Sequence, residues 1–294
     1  MHIAISGASG FVGQQLIREL SGEGHSILRL GRGASGLGRR QWDPSAGEPD
    51  LQVDPPLDAV VHLAGEPVSQ RWNTAVKERI HQSRVAGTRN LVAALTKLER
   101  RPRVLVSASA VGIYGDRGEE SLPETAPPGT GFLSDVCREW EAEADKAEAL
   151  GIRVVKIRIG LVLGKQGGAL AKMLLPFQLG LGATLGSGTQ FMSWIHLEDL
   201  TGMIRYALTN ESARGAWNGV APNPVTNSVF TKELGKAVHR PAWFWAPKQL
   251  IMLGAGEMAQ ILFFSQRCAP AAPLAAGFQF RYPELGAALR AVLS

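Results

Sequence analysis

Three glycines near the N-terminus form the motif with the most specific chemistry, in the order GASGFVG from residue 7. A short apolar run precedes the motif and an amphipathic run follows it, which is the setting of a strand–turn–helix. Gly7 permits the tight turn, Gly10 lets the backbone approach a pyrophosphate, and Gly13 lets the helix pack close to the strand. The unpaired N–H groups at the start of such a helix attract phosphate. The motif therefore predicts a dinucleotide site.

The residues after the second apolar run indicate which dinucleotide fits. In NAD sites an acidic residue about twenty positions after the glycines holds the ribose 2′-hydroxyl. This chain has Gly31 and Arg32 there, and no Asp or Glu lies between positions 26 and 41. Arginine pairs with phosphate through charge-assisted hydrogen bonds. We therefore expect NADP(H), with Arg32 on its 2′-phosphate, and the alternative is a solvated surface arginine.

Further cofactor contacts are expected where later strands of the same sheet end. Small residues after an apolar strand suit a backbone that lies under a cofactor, whereas core packing explains Trp42 equally well. Arg84 is expected to bind the cofactor or an anionic group of a substrate. The full set of expected cofactor-binding residues is Gly7, Ser9, Gly10, Phe11, Val12, Gly31, Arg32, Trp42, Leu63, Ala64, Gly65, Glu66, Arg84, Ser107 and Ala108.

Alternating strands and helices must position these residues. Strands are predicted at 2–6, 26–30, 59–63, 104–108 and 153–159, and helices at 11–20, 73–98 and 132–150. This alternation predicts βαβ units, and right-handed crossovers then give a parallel sheet with helices on both faces. The expected fold class is α/β, a Rossmann-type doubly wound parallel sheet with a smaller C-terminal substrate-cover region.

The character of the sequence changes after Gly160, and glycine and leucine dominate residues 164–188. We expect a dinucleotide-binding domain from 1–164 together with about 190–224, and a smaller region from 165–189 and 225–294. The apolar stretch 250–264 is predicted to be a buried or pocket-lining helix, because a membrane span takes about twenty residues. Six aromatic residues are candidates for lining an apolar substrate pocket, with core packing as the alternative: Phe177, Phe191, Trp194, Trp243, Phe244 and Trp245.

Composition excludes several classes of protein. The net charge is +5, and a local cluster of arginines between 29 and 40 indicates an anion site in that segment. The sequence contains no run of like charges of the kind that would predict a nucleic-acid partner. Cys137 and Cys268 are isolated, so we expect neither a metal site nor a disulfide framework. The N-terminus lacks the pattern of a signal peptide, and we expect a cytoplasmic protein without a membrane partner.

Further motifs follow GASGFVG along nearly the whole chain. They are LAGEPV at residue 63, GTRNLVAAL at 87, SASAVGIYGD at 107, REWEAEA at 138, GGALAKMLLPFQLGLG at 167, MSWIHLEDL at 192, NGVAPNPVTN at 218 and GFQFRYPEL at 277. With these motifs in this order, the chain resembles the extended short-chain dehydrogenase/reductase (SDR) superfamily, and within it an atypical branch of epimerase family proteins. The resemblance implies NADP(H) binding and a C-terminal region of unknown function near 240–291. It also implies a homodimer through the long helices near 73–98 and 132–150.

The acid/base pair of that superfamily is missing here. Ordinary members use Ser with Tyr and Lys spaced YxxxK, where Lys and the cofactor lower the pKa of Tyr. None of the three tyrosines has Lys four positions later, Arg84 stands where the family has Asn, and Ser109 alone matches. The catalytic candidates are therefore Ser109, Tyr114 and Cys137, followed by Glu124 and His196. Each has a structural role as its alternative.

Two functions remain open from the sequence. One is an NADP-dependent oxidoreductase or epimerase-like enzyme of unknown small-molecule substrate with a rearranged acid/base. The other is a non-catalytic binding or regulatory protein that responds to NADP(H). The intact glycine turn supports both. The missing YxxxK favours the second, whereas a C-terminal region that could cover the nicotinamide favours the enzyme, which is the function we expect.

Overall fold

A computed structural model describes residues 1–254 and 256–294. The strands are β1 (His2–Ser6), β2 (Ser26–Gly31), β3 (Arg39–Gln41), β4 (Ala59–His62), β5 (Val104–Ala110), β6 (Ser121–Leu122), β7 (Arg153–Ile159), β8 (Leu161–Leu163), β9 (Ala183–Leu185), β10 (Phe191–Met192), β11 (Trp194–His196), β12 (Gly215–Gly219), β13 (Val225–Thr226), β14 (Phe244–Ala246) and β15 (Arg267–Cys268). The α-helices are α1 (Phe11–Gly22), α2 (Thr74–Thr96), α3 (Phe132–Asp145), α4 (Gly168–Gln178), α5 (Leu197–Thr209), α6 (Asn227–Ala237), α7 (Lys248–Ala255), α8 (Ala271–Ala275) and α9 (Leu285–Leu293). Short 3₁₀ turns lie at Val111–Tyr114, Lys146–Leu150 and Gly256–Leu262.

Seven of the described strands form one parallel sheet in the order β12-β7-β5-β4-β1-β2-β3. From β1 the chain first builds outward to β3 and then returns to build the other half from β4. The order therefore reverses between β1 and β4, and ligands of such sheets bind at the carboxyl ends of the strands beside this reversal. The predicted Rossmann-type doubly wound sheet is confirmed.

The central strands were predictable because they are apolar and buried on both faces, as in β4 and β5. The two edge strands were not predicted. β3 reads Arg-Arg-Gln and β12 is bounded by glycines, so neither contains the apolar run that identifies a buried strand.

Helices cover both faces of the sheet and bury two apolar clusters. α1 and α5 lie on one face with Leu16, Leu20 and Met203 in the core. α2 and the end of α3 pack on the other, where Leu91 and Ala144 are fully buried or nearly so. The central strands β1, β4 and β5 are thereby buried, whereas residues of β2 and β3 at one edge stay exposed.

A third apolar cluster holds the smaller region together. Trp194 is fully buried there between α4, α6 and α9. Residues 271–280 lie elsewhere, because Phe278 packs in the core beside α5 and the Tyr206 hydroxyl donates to Ala276 O at 2.6 Å. The predicted C-terminal region is therefore divided between the third cluster and the layer over the main sheet.

The apolar stretch 250–264 differs from its prediction. It forms α7 and a 3₁₀ turn, and Leu250 and Leu253 are exposed rather than buried. The prediction of a buried helix was wrong for Leu250 and Leu253. A high leucine content does not by itself show whether other segments of the chain pack over a helix. No helix in the described part of the chain is long and apolar enough to cross a membrane.

Candidate functional site

The glycine turn lies at the reversal of strand order, directly after β1. Gly7 has φ of 68°, and a Cβ on it would stand 2.7 Å from the carbonyl carbon of Leu63, the residue after β4. A Cβ on Gly13 would stand 2.3 Å from Gly7 O. Both positions therefore require glycine. Gly10 is the N-cap residue of α1 and offers no side chain, so the first N–H groups of the helix are left for a ligand.

A cavity of about 560 Å³ opens at this turn, between the ends of β1, β2 and β4 and the first turns of α2. Ten of the fifteen expected cofactor-binding residues line it: Gly7, Ser9, Gly10, Gly31, Arg32, Trp42, Leu63, Ala64, Gly65 and Glu66. Sequence reasoning missed the α2 side of the cavity, which Glu78, Arg79, Gln82 and Ser83 supply. Their spacing of three and four residues marks one helix face, but only the fold shows that it turns to the groove.

Five expected residues do not line this cavity. Ser107 and Ala108 are buried within β5. Phe11 instead packs against the glycine-rich loop after β8, where a Cβ on Gly164 or Gly167 would meet its ring at 2.2 or 2.7 Å. This contact explains the GKQGG segment as a cradle for Phe11. Val12 and Arg84 are also absent from the lining.

A second cavity of about 450 Å³ continues from the first past Arg32. It is bounded by four arginines, and among the described residues that line it none is acidic. None of these four makes an ion pair within the described structure, whereas the neighbouring Arg40 lies 3.4 Å from Asp50. The four arginines are Arg18, Arg29, Arg32 and Arg39. Unpaired cations in one cavity make an electrostatic site for a phosphate.

A buried histidine supports the turn from below. The Ser6 hydroxyl accepts from the Leu63 and Ala64 N–H groups, so its own proton points to His62 Nδ1 at 2.6 Å. His62 Nε2 then donates to the Thr88 hydroxyl at 3.1 Å. Burial, together with the nearby charge of Arg84, lowers the pKa of His62 to about 4. His62 is therefore a neutral structural group that joins β1, β4 and α2.

Arg84 lies beside the groove, pressed against its backbone. Its Nη1 donates to Glu66 O at 2.9 Å and Ile80 O at 3.2 Å, and its guanidinium lies 5.3 Å from the Trp140 ring. A Cβ on Gly65 would approach the guanidinium to 3.2 Å. Burial lowers the pKa of Arg84. The structure thus gives Arg84 a role in holding residues 65 and 66, which do line the cavity.

Ser109 belongs to a buried polar network. Its hydroxyl donates to Glu141 Oε1 at 2.7 Å, and Arg158 holds the same carboxylate through Nε at 2.8 Å and Nη2 at 2.9 Å. The network continues from Arg158 Nη1 to the Tyr114 oxygen at 2.8 Å, and the Tyr114 hydroxyl donates to Asn218 at 2.8 Å. All five side chains are buried.

Burial bears on two of the catalytic expectations, Tyr114 and Cys137. Tyr114 has no exposed surface, and burial, opposed by Arg158, raises its pKa to about 12. Cys137 is also buried, which raises the pKa of its thiol to about 12. Neither side chain is open to solvent in this arrangement, so their catalytic role stays a prediction that the geometry does not support. The Ser109 hydroxyl is committed to Glu141.

The two secondary candidates also have structural partners. Glu124 accepts from the Asn218 N–H at 2.8 Å and the Ala272 N–H at 3.0 Å, which ties it to the C-terminal segment. His196 caps α5 by accepting from the Glu198 N–H at 3.1 Å, and burial lowers its pKa. Among the described residues, no cluster of His, Cys, Asp and Glu is placed to hold a metal ion.

Comparison with known proteins agrees with the fold and the glycine turn. A family model described as the NAD dependent epimerase/dehydratase family matches residues 3–218, and a domain of unknown function, DUF1731, matches residues 246–292. The chloroplastic epimerase family protein SDR39U1 homolog of Arabidopsis thaliana is 40% identical over 304 residues, covering 100% of this chain and 87% of the relative. Epimerase family protein YfhF of Bacillus subtilis is 37% identical over 300 residues, covering 100% and 98%.

The structure of a human relative is similar over nearly the full length of both chains. The crystal structure of human epimerase family protein SDR39U1 with NADPH superposes with a TM-score of 0.91 at 36% identity, covering 100% of this chain and 99% of that one. The reversal of strand order, the glycine turn and these matches lead to one conclusion: the chain belongs to the NAD-dependent epimerase/dehydratase family of the SDR superfamily, in the group of SDR39U1-like epimerase family proteins.

Proposed function

We propose that this chain binds NADP(H) across the ends of β1, β2 and β4 and uses it in an oxidoreductase or epimerase-like reaction. The observation that carries the proposal is the arginine-lined cavity that continues from the groove past Arg32. A 2′-phosphate is the group that distinguishes NADP from NAD, and unpaired arginines bind it strongly. The human relative crystallised with NADPH supports the same cofactor.

The residues of the groove divide the work of holding this cofactor. The pyrophosphate would lie on the N–H groups at Gly10 and the start of α1, where the helix dipole favours an anion. The 2′-phosphate would lie against Arg32, which borders both cavities. Asp43 also lines the groove; the Ser45 hydroxyl is the main cause that lowers its pKa, so it is a carboxylate at neutral pH.

A pair of arginine variants tests the cofactor assignment. Arg32→Ala removes charge-assisted hydrogen bonds worth about 1.5–3 kcal/mol, so we expect NADPH affinity to fall roughly 10- to 100-fold while NADH affinity changes little. Arg40→Ala is the matched control, because Arg40 is paired with Asp50 outside the arginine-lined cavity. An equal loss for NADPH and NADH in Arg32→Ala, or an equal effect of Arg40→Ala, contradicts the assignment.

The proposed reaction does not use the Tyr–Lys pair of ordinary members. The bound nicotinamide supplies hydride chemistry, and the protein's part is to orient the substrate and exclude water. Ser109, Tyr114 and Cys137 do not supply the proton, because they are bonded or buried in the arrangement described above. We place the source of the proton that the reduced carbonyl oxygen takes up on the substrate side of the groove.

A substrate screen tests turnover. Purified protein loaded with NADPH is mixed with pools of carbonyl compounds while the absorbance band of the reduced nicotinamide is followed. Loss of the band with one pool, at a rate that Tyr114→Phe leaves largely unchanged, supports an enzyme with a rearranged acid/base. Bound NADPH that stays reduced with every pool contradicts the enzyme proposal.

The buried network favours a second candidate, an NADP(H)-responsive binding protein without turnover. It runs from Ser109 in β5 to Asn218 Nδ2, which donates to Ala269 O at 2.8 Å in the C-terminal segment. Side chains whose hydrogen bonds hold two regions of the chain together are not available to exchange a proton with a substrate. This function predicts that a partner binds differently to the NADP and NADPH forms, and identical pulldowns with both forms contradict it.

The homodimer and the compartment stay predictions. α2 and α3 pack side by side, joined by Arg89–Glu143 at 2.8 Å and His81–Glu139 at 2.8 Å. We propose that their outer faces form the two-fold interface, which light scattering of the purified chain tests directly. We also propose a cytoplasmic location without a nucleic-acid partner, which fractionation of the source cells tests.

A further inference from the structure

Eight large apolar side chains are exposed in neighbouring segments of the smaller region. Trp243 is 88% exposed, Leu253 80% and Trp245 65%. Folded proteins rarely leave so much contiguous apolar surface in water unless it meets a partner or a membrane. We call this surface the apolar face, and it consists of Leu175, Leu179, Leu181, Trp243, Phe244, Trp245, Leu250 and Leu253.

The members of the apolar face are neighbours in space. β14 pairs with β9, so that Phe244 stands opposite Ala183 and its N–H donates to Gly182 O. Arg240 Nε donates to Gln178 O at 3.2 Å, which brings the chain before Trp243 to the end of α4. α7 begins two residues after β14. The exposed leucines of α4, the aromatic run and the start of α7 therefore lie next to one another, with Phe244 and Trp245 on opposite sides of β14.

The helix α4 shows that the apolar face lacks a partner within the chain. Its inner side buries Leu170, Leu174 and Phe177 in the third cluster. Its outer side presents Leu175 and Leu179, four positions apart and exposed. A surface helix of a soluble protein normally has a polar outer side. The six aromatic residues predicted to line a pocket divide accordingly, since Phe177 and Trp194 are core residues whereas Trp243, Phe244 and Trp245 are exposed.

The charges within the segments that carry the apolar face have one sign, and the flanking Glu233 and Glu257 are paired with Lys236 and Lys77. Segments 165–190 and 234–256, which carry it, contain no Asp or Glu. Lys236 is paired with Glu233, whereas Lys172, Arg240 and Lys248 bond only to uncharged groups or face an aromatic ring. Two copies meeting through this face would bring these cations together. An anionic surface is the complementary partner.

We propose, in place of the expectation from the sequence that the protein has no membrane partner, that the apolar face docks it on the surface of an anionic lipid bilayer. Tryptophan and phenylalanine place their rings at the headgroup level, and leucines enter the acyl boundary. Lysine and arginine beside them are attracted by anionic headgroups, each strengthening binding roughly fivefold. The protein lies on the membrane and does not cross it. This proposal is independent of the cofactor assignment, because none of the eight residues lines the cofactor groove.

Vesicle sedimentation of the full chain tests the proposal. The expected result is binding to vesicles of phosphatidylcholine mixed with phosphatidylglycerol, much weaker binding to phosphatidylcholine alone, and loss of binding at high salt. The double variant Trp243→Ser/Leu253→Ser is expected to bind at least tenfold more weakly. Both side chains are exposed, so the fold should persist, and unchanged NADPH affinity verifies it. Trp245 is left in place because its indole donates to Gly186 O.

The test has a matched control variant, and three possible outcomes would overturn the proposal. Leu37→Ser is the control, because Leu37 is fully exposed beside arginines in the 33–40 segment and lies outside the apolar face. Equal losses in the control and the double variant overturn the assignment of the face. Failure to bind either kind of vesicle overturns the proposal. A dimer that the double variant dissociates, without lipid binding, also overturns it and identifies a second copy as the partner.

Discussion

Replacing His62 with Asn changes how the stability of the fold depends on pH. Burial lowers the pKa of His62 from an ordinary 6.5 to about 4. A depressed histidine pKa means that the unfolded chain binds the proton more readily than the fold. The contribution of neutral His62 is therefore present above pH 6.5 and is lost as the pH falls from 6.5 towards 4.

The size of the effect follows from the two pKa values. Lowering the pH from about 7 to about 4.5 removes roughly 2.5 kcal/mol of unfolding free energy through His62 alone. Carboxylates also titrate in this range, so the informative quantity is the difference between the wild type and His62→Asn. In the variant, whose Asn oxygen can still accept from the Ser6 hydroxyl, we expect the loss over this range to be smaller by roughly 2.5 kcal/mol.

Urea unfolding at several pH values between about 4.5 and 7 is the assay. His239→Asn is the control, because His239 is exposed and has φ of 55°, a backbone conformation that Asn tolerates. We expect the control to follow the wild type. Parallel pH slopes for the wild type and His62→Asn would refute the argument that the Ser6–His62–Thr88 chain holds a neutral ring.

Two further substitutions test the site in other ways. Glu141→Ala leaves Arg158 buried without its carboxylate and should cost about 3–5 kcal/mol of unfolding free energy, whereas Ser109→Ala should cost only about 1 kcal/mol; urea unfolding of both variants measures this, and near-equal losses count against the network. Gly13→Ala places a methyl group 2.3 Å from Gly7 O, so it should cost about 1–3 kcal/mol and weaken NADPH binding, whereas the solvent-facing Gly22→Ala should do neither.

Local patterns made the cofactor half of the fold predictable. GASGFVG lies between a strand and a helix that are contiguous in sequence, so Gly7 and Gly13 could be assigned without knowledge of distant contacts. Arg32 follows β2 at the distance that the fold requires. The central strands were predictable for the same reason, since a strand buried on both faces consists of a continuous run of apolar residues.

Features that depend on distant contacts could not be predicted. Phe11 turns away from the groove because Gly164 and Gly167, some 150 residues later, leave room for its ring. The Tyr114 hydroxyl is hydrogen-bonded to Arg158 and Asn218, and these two residues come together only when β7 and β12 pair. The exposure of Trp243 depends on which distant segments pack over it, and the residue type alone does not distinguish an exposed tryptophan from a buried one.

Titration of the wild-type protein with NADPH and NADH is the most direct test of the central claim, which is that unpaired arginines at the end of β2 select a 2′-phosphate. Isothermal calorimetry of both nucleotides under the same low-salt conditions gives the ratio of the two dissociation constants. The claim predicts that NADPH binds at least tenfold more tightly than NADH, with the preference reduced by salt. Equal dissociation constants, or no binding of either nucleotide, would contradict it.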